Sequence, residues 1–250
     1  MTNDTDTMPI AEYLAQGGKL TSPENVPPRY RGELLRLMSS FVDSELAGSA
    51  GFAGAINWAP GIKARIAASR ITLEKADHAE RVLDLMEGFG TDKALYERAH
   101  DWAAREDRDS TLEAKRHGGD MRLSVFHYPL TGWTDAVVMN VLMGLATQHA
   151  VGELARSSYQ PLAEVLRDIL PREKRHMELG LEGLERIGAT DEAKASVAYW
   201  MPRVAETFGP AVSERFEKQQ AMGLRHTDNE TLRSAWRAEA ESVLSPLGLC

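Results

Sequence analysis

At 250 residues the chain can bury one sizeable core, and its 43% hydrophobic and 26% charged composition is that of an ordinary globular protein. A formal net charge of -8, with no block of lysines and arginines to reverse it locally, opposes attraction to phosphate backbones and excludes nucleic acid as an expected partner. The only cysteine is Cys250, which excludes a disulfide framework or a cysteine-based metal site within one subunit, so any metal would need carboxylate and imidazole ligands.

The opening MTNDTDTMPI lacks the basic start and apolar run of a secretory signal, and every apolar stretch is interrupted well before the ~20 residues that cross a bilayer. A cytoplasmic protein without a membrane segment is expected. Residues 1–29 carry Gly17, Gly18, Pro23, Pro27 and Pro28 and read as a flexible lead-in outside the core, and residues 30–250 as a single helical domain. From Arg31 the spacing of Leu34, Met38, Phe41 and Val42 predicts a first bundle helix that decays between Gly48 and Gly54. After a turn at Asn57 to Gly61, a second helix is marked by Ile62, Ile66, Ile71, Val82 and Leu85 and stops near Gly88 to Gly90. A connecting helix from Leu95 to Arg105 leads into a less regular crossover, Lys115 to Trp133, broken by Gly118, Gly119, Pro129 and Gly132. The third helix starts with Asp135 as N-cap and runs through Val137, Val141, Leu145 and Val151 to about Arg156. The fourth follows the break at Ser157 to Pro161, carries Leu162, Leu166, Ile169 and Gly180 on one stripe, and should kink at Pro171. Asp191 to Cys250 adds two or three further helices, with no strand signature and no internal repeat.

Ionisable residues sit on the inward stripes of these helices. Helix one continues Met38, Val42, Glu45; helix two reads Ile71, Lys75, His78, Val82; helix four reads Leu166, Ile169, Glu173, His176, Gly180, all at steps of three or four. Charges directed into a core must be paired, neutralised or bound to a metal, because an unpaired buried charge costs several kcal/mol at least. Glu173 and His176 form a Glu-x-x-His element, which sets a carboxylate and an imidazole about one turn apart on one face. In ferritin-like carboxylate proteins, two helices each give one carboxylate and two each give Glu-x-x-His, making a six-ligand site for two metals. Glu45 fits a single carboxylate, Glu173 with His176 fits one full pair, and His78 fits half of the other. Lys75 stands where the second glutamate belongs, and its ammonium can sit between Glu45 and Glu173 as a replacement charge. Glu74 and Asp77 flank the inward stripe and read as solvated, although Glu74 is placed to swing inward. His100, His117 and His226 read as surface residues, His127 and His149 as partners of buried carbonyls, and Trp58, Trp133 and Trp200 as core anchors.

Several segments in one order extend the pattern: Glu45 through Asn57-Trp58 to Ala59-Pro60, Glu74 to His78, Ser158-Tyr159-x-Pro161, Glu173 to His176 with Gly180, Phe208-Gly209-Pro210, and the tail from Thr227 through Asn229 and Arg233 to Leu249. In these the chain resembles the phenylacetyl-CoA epoxidase family, bacterial multicomponent di-iron oxygenases of phenylacetate catabolism that epoxidise the aromatic ring of a CoA thioester, and it is most similar to the catalytic subunit. The resemblance implies a ferritin-like four-helix bundle with additional C-terminal helices, an acyl-CoA substrate, and work alongside sister oxygenase subunits and a reductase, with a homo-oligomer as the simplest state of the isolated chain. It implies Glu45, His78, Glu173 and His176 as retained metal ligands, Lys75 in place of a glutamate, and Gly144 in place of an aspartate on the third helix. Gln148, one turn later, supplies no charge. Two readings follow, an oxygenase with one iron rather than two, and a metal-free structural or regulatory subunit in which Lys75 replaces the metal's charge.

Overall fold

The computed structural model describes residues 10–111 and 118–250. Among them the chain is all α, with no strand and one isolated parallel bridge between Leu20 and Tyr159. The helices are α1 (Ile10–Ala15), α2 (Pro28–Ala55), α3 (Ile62–Glu87), the short α4 (Lys93–Glu97), α5 (Trp133–Leu154), α6 (Gln160–Ile187), α7 (Asp191–Glu206), α8 (Glu214–Ala221) and α9 (Asn229–Leu244). α2 packs along α3 and α5 along α6, and the two pairs meet chiefly where α3 lies against α6. This is a ferritin-like four-helix bundle. α7 and α9 lean on α5 from outside, so α5 is covered on several sides and is apolar around most of its circumference.

Local chemistry sets the boundaries. Pro28 occupies the first turn of α2, where its missing N–H costs nothing, and Gly90 takes the left-handed conformation (φ +91°) just past the end of α3. Thr190, Ser213 and Asp228 cap α7, α8 and α9 by accepting from the backbone N–H groups of Ala193, Phe216 and Thr231.

Several expectations are corrected. α2 runs through the whole stretch from Gly48 to Gly54, where the sequence predicts its decay, and ends at Ala55; two of its glycines there serve close approach, a Cβ on Gly48 standing 3.2 Å from Lys75 Cδ and one on Gly51 3.2 Å from Arg105 Nη2. The connecting helix ends at Glu97, since the carbonyls of Asp101, Trp102 and Ala104, which a longer helix would use, are taken by the guanidinium groups of Arg105 and Arg122. Gly132, not Asp135, precedes α5. Asp135 is instead a buried hub in the first turn, bound by both Nη atoms of Arg108 at 2.8 Å and accepting from Ser196 Oγ and Trp200 Nε1. Pro171 lies inside α6, as the sequence expects, and the helix continues past it to Ile187.

The lead-in also differs from expectation within the described residues, residues 1–9 lying outside them. Leu20 and Val26 are buried in the core, and the Leu20 backbone accepts from Gln160 N–H (2.8 Å) and donates to Ser158 O (2.9 Å). Burial on α3 starts only at Ala68, so Ile62 (71% exposed), Ile66 (55%) and the preceding Trp58 (44%) face solvent, while Trp200 is fully buried.

α5 and α6 come together at glycines. A Cβ on Gly144 would meet Met177 Cβ at 2.7 Å, closer than packed carbons allow. Gly144→Ala is therefore expected to lower stability by about 1–3 kcal/mol through overpacking, measured by urea unfolding; an unchanged midpoint would mean that the two helices part without cost.

Candidate functional site

The centre of the bundle holds five polar side chains from three helices: Glu45 on α2, Lys75 and His78 on α3, Glu173 and His176 on α6, all buried. Lys75 Nζ lies 2.9 Å from Glu45 Oε1 and 3.2 Å from each oxygen of Glu173, so one ammonium bridges two carboxylates on different helices. His78 Nδ1 completes the bridge from the other side, 2.9 Å from Glu173 Oε1 and 3.2 Å from Glu45 Oε2. His176 Nδ1 reaches Glu173 Oε1 only at 3.4 Å, and its ring stacks on that of His78 with centroids 5.8 Å apart. Gly48 makes room for the lysine, since the stem of Lys75 runs where a larger residue on α2 would project.

The electrostatics follow from this closure. Burial alone would lower the pKa of Lys75, but the charges of Glu173 and Glu45 overcome it and the pKa is raised, so the lysine is a cation. For Glu173, burial raises the pKa, but the Lys75 charge and hydrogen bonds from the two histidines hold it well below the usual carboxylate range. Burial of His78 opposes protonation, and the Glu173 and Glu45 contacts raise its pKa in spite of it.

The structure thus brings together Glu45, Lys75, His78, Glu173 and His176. It does not bring Gly144 to them in a way that a longer side chain would exploit, because the direction of a Cβ there is filled by Met177. Gln148 turns back on its own helix, its Nε2 3.4 Å from Gly144 O. Glu74 does swing inward: its Oε2 is 2.7 Å from His176 Nε2, whereas Asp77 stays exposed and pairs with Arg172. Among the other histidines, His226 is exposed, His100 is half-buried edge-on to Trp102, and His149 binds Glu239 at 2.9 Å instead of a carbonyl. His117 lies outside the described residues.

Three supporting residues escape a reading of single-helix stripes. Asn140 on α5 donates to His176 O at 2.9 Å, and Gly180 leaves the space for it, since a Cβ there would stand 2.4 Å from Asn140 Nδ2. On α2, the buried Asp43 accepts from Tyr96 Oη and Met121 N–H, and Ser44 Oγ accepts from Leu123 N–H, tying α4 and the crossover to the helix that carries Glu45.

A family model described as phenylacetic acid catabolic protein matches residues 18–250. The chain belongs to that family. Among curated proteins, one of the subunits of the 1,2-phenylacetyl-CoA epoxidase of Escherichia coli (strain K12) is 26% identical over 207 residues, covering 80% of this chain and 61% of that protein. The chain spans about three fifths of the length of the curated relative it matches. In this family member, Glu45, His78 and Glu173 offer ligand atoms that all lie within 4.8 Å of one another. A divalent ion held there through His78 Nδ1 would displace both hydrogen bonds of that nitrogen and share both carboxylates with the Lys75 ammonium, a cation at contact distance from each. No helix among the described residues is long and apolar enough to cross a membrane.

Proposed function

We propose that this chain is a metal-free member of a phenylacetyl-CoA epoxidase-like assembly, a structural or regulatory subunit in which Lys75 takes over the charge that a metal would supply. The position of Lys75 Nζ, within 3.2 Å of Glu45 and Glu173, carries this reading. A buried carboxylate pair demands positive charge, and the ammonium supplies it with three directed hydrogen bonds. With Lys75 in place, the donors present do not fit a two-metal centre: α5 brings no carboxylate to the cluster, its Asp135 and Glu153 being bound elsewhere, and the site between the remaining acids is taken.

The partners belong to the same proposal. Sister oxygenase subunits, a reductase and an acyl-CoA are those of the resemblance, and a cavity of about 570 Å³ beside Glu45 supports ligand binding by this chain. Phe41, Met143 and Phe208 wall it, and Arg36, Arg215 and Arg225 line it too, a combination suited to an apolar acyl group with an anionic head. The competing reading, an oxygenase with a single iron, draws on the closeness of Glu45, His78 and Glu173. Metal analysis of protein purified from iron-supplemented cells separates the two. The expected result is no stoichiometric iron; one iron per chain transfers the assignment to the one-metal oxygenase, and two would reject both.

A further inference from the structure

α2 carries a run of small residues past the ionic cluster, Gly48, Ala50, Gly51 and Gly54, and the helix leaves a second cavity of about 270 Å³ along them. Four aromatic side chains line it, Phe52, Trp58, Phe126 and Tyr128, although aromatic residues make up only 7% of the chain. A cavity of about 150 Å³ lined by apolar side chains suffices for a benzene ring, so this volume has room for one ring with a short substituent and none for a large cofactor.

One cation lines the cavity. Arg105 donates through Nη1 to the carbonyls of Trp102 and Ala104 and through Nη2 to that of Ala47, which holds the guanidinium against Gly51. Three of a guanidinium's five N–H groups are thereby used, and no carboxylate among the described residues lies within ion-pair distance of it. Its neighbour Arg122 differs in being paired with Asp120 at 2.8 Å. Burial and the Arg122 charge push the pKa of Arg105 down to about 10, against a smaller opposing effect of Asp101.

We propose that this cavity binds a small aromatic carboxylate, the ring among the four aromatic side chains and the carboxylate on the remaining N–H groups of Arg105. An anion there supplies the countercharge that the described residues leave out, and the apolar walls reject solvated inorganic anions in favour of one carried on a ring. The site is distinct from the Lys75 cluster and stands whether or not that cluster takes a metal.

Calorimetric titration of the full chain with benzoate, phenylacetate, phenylacetamide and benzylamine tests it. Saturable binding of at least one acid at one per chain is expected, with the neutral amide weaker by on the order of tenfold and the amine not bound, since a charged hydrogen bond to guanidinium is lost in the first and repulsion added in the second. Arg105→Gln should bring the acids down to the level of the amide. Because Arg105 also holds three carbonyls, a second variant guards against misfolding: Gly54 lines the cavity, a Cβ there meets no atom within 4 Å, and Gly54→Leu removes a helix-weakening glycine while filling the space. That variant should fold and lose binding of every ligand. Equal affinity for acid and amide, acid binding untouched by Gly54→Leu, or no saturable binding of either acid would overturn the proposal.

Discussion

Replacing Lys75 by methionine is expected to lower the unfolding free energy by about 3–5 kcal/mol, the scale for removing one partner of a buried ion pair. Methionine keeps much of the stem that lies against Gly48 but leaves Glu45 and Glu173 facing each other with only the histidines between them. The pH dependence gives the loss a signature. In the wild type the depressed pKa of Glu173 contributes stability that is present above its unfolded value near 4.5 and is lost as pH falls through the folded value. In Lys75→Met the depressing charge is gone, so protonation relieves the variant and the gap to wild type narrows toward acid. Denaturant unfolding across that range checks both parts. A methionine variant as stable as the wild type at neutral pH would sink the ionic-cluster account.

That prediction was available from spacing alone, and it shows what a sequence carries well. Positions three and four apart on a helix share a face whatever the neighbours do, so the inward stripes of α2, α3 and α6 placed Glu45, Lys75, His78, Glu173 and His176 at one centre before any packing was known. Contacts that depend on the register between helices were not legible. Asn140 reaches the His176 carbonyl only because Gly180 lies opposite, and glycine is read along a single helix as a stop, as Gly48 was. Polar residues whose partners lie on distant segments were equally hidden: Asp135 looks like a cap and is a hub for Arg108 and for Ser196 and Trp200 of α7. Apolar periodicity also overstated the core, since Ile62 and Ile66 continue the stripe of α3 beyond the last element that covers it.

The second large effect is expected for Lys75→Glu, which restores a Glu-x-x-His pair with His78 opposite that of Glu173 and His176. Without metal, three acids would converge where one lysine now neutralises two, so the variant should be less stable than wild type by at least as much as Lys75→Met. Ferrous iron should reverse this. A ligand that binds only the folded state adds about 2.7 kcal/mol at a free concentration a hundred times its Kd, so the midpoint of unfolding should climb with iron in the variant and stay put in the wild type. Adding Gly144→Asp on top does not complete the site simply, because its first carbon collides with Met177. An unfolding midpoint indifferent to iron in Lys75→Glu would show that the cluster is not a metal site converted by one residue.

Leu20 exchanges backbone hydrogen bonds with Ser158 and Gln160, at the turn where α5 gives way to α6. The two sides of the latch are separated by more than half the chain, and three of the four bundle helices, α2, α3 and α5, lie between them. Loop-closure entropy for so distant a pair is recovered only when the intervening helices already stand side by side. The latch therefore belongs to the last steps of folding. It fastens the point at which the second helical pair reverses direction, so a chain trimmed past Leu20 would lose α1, keep the four bundle helices, and lose the clasp that holds α2, through its lead-in, to that reversal.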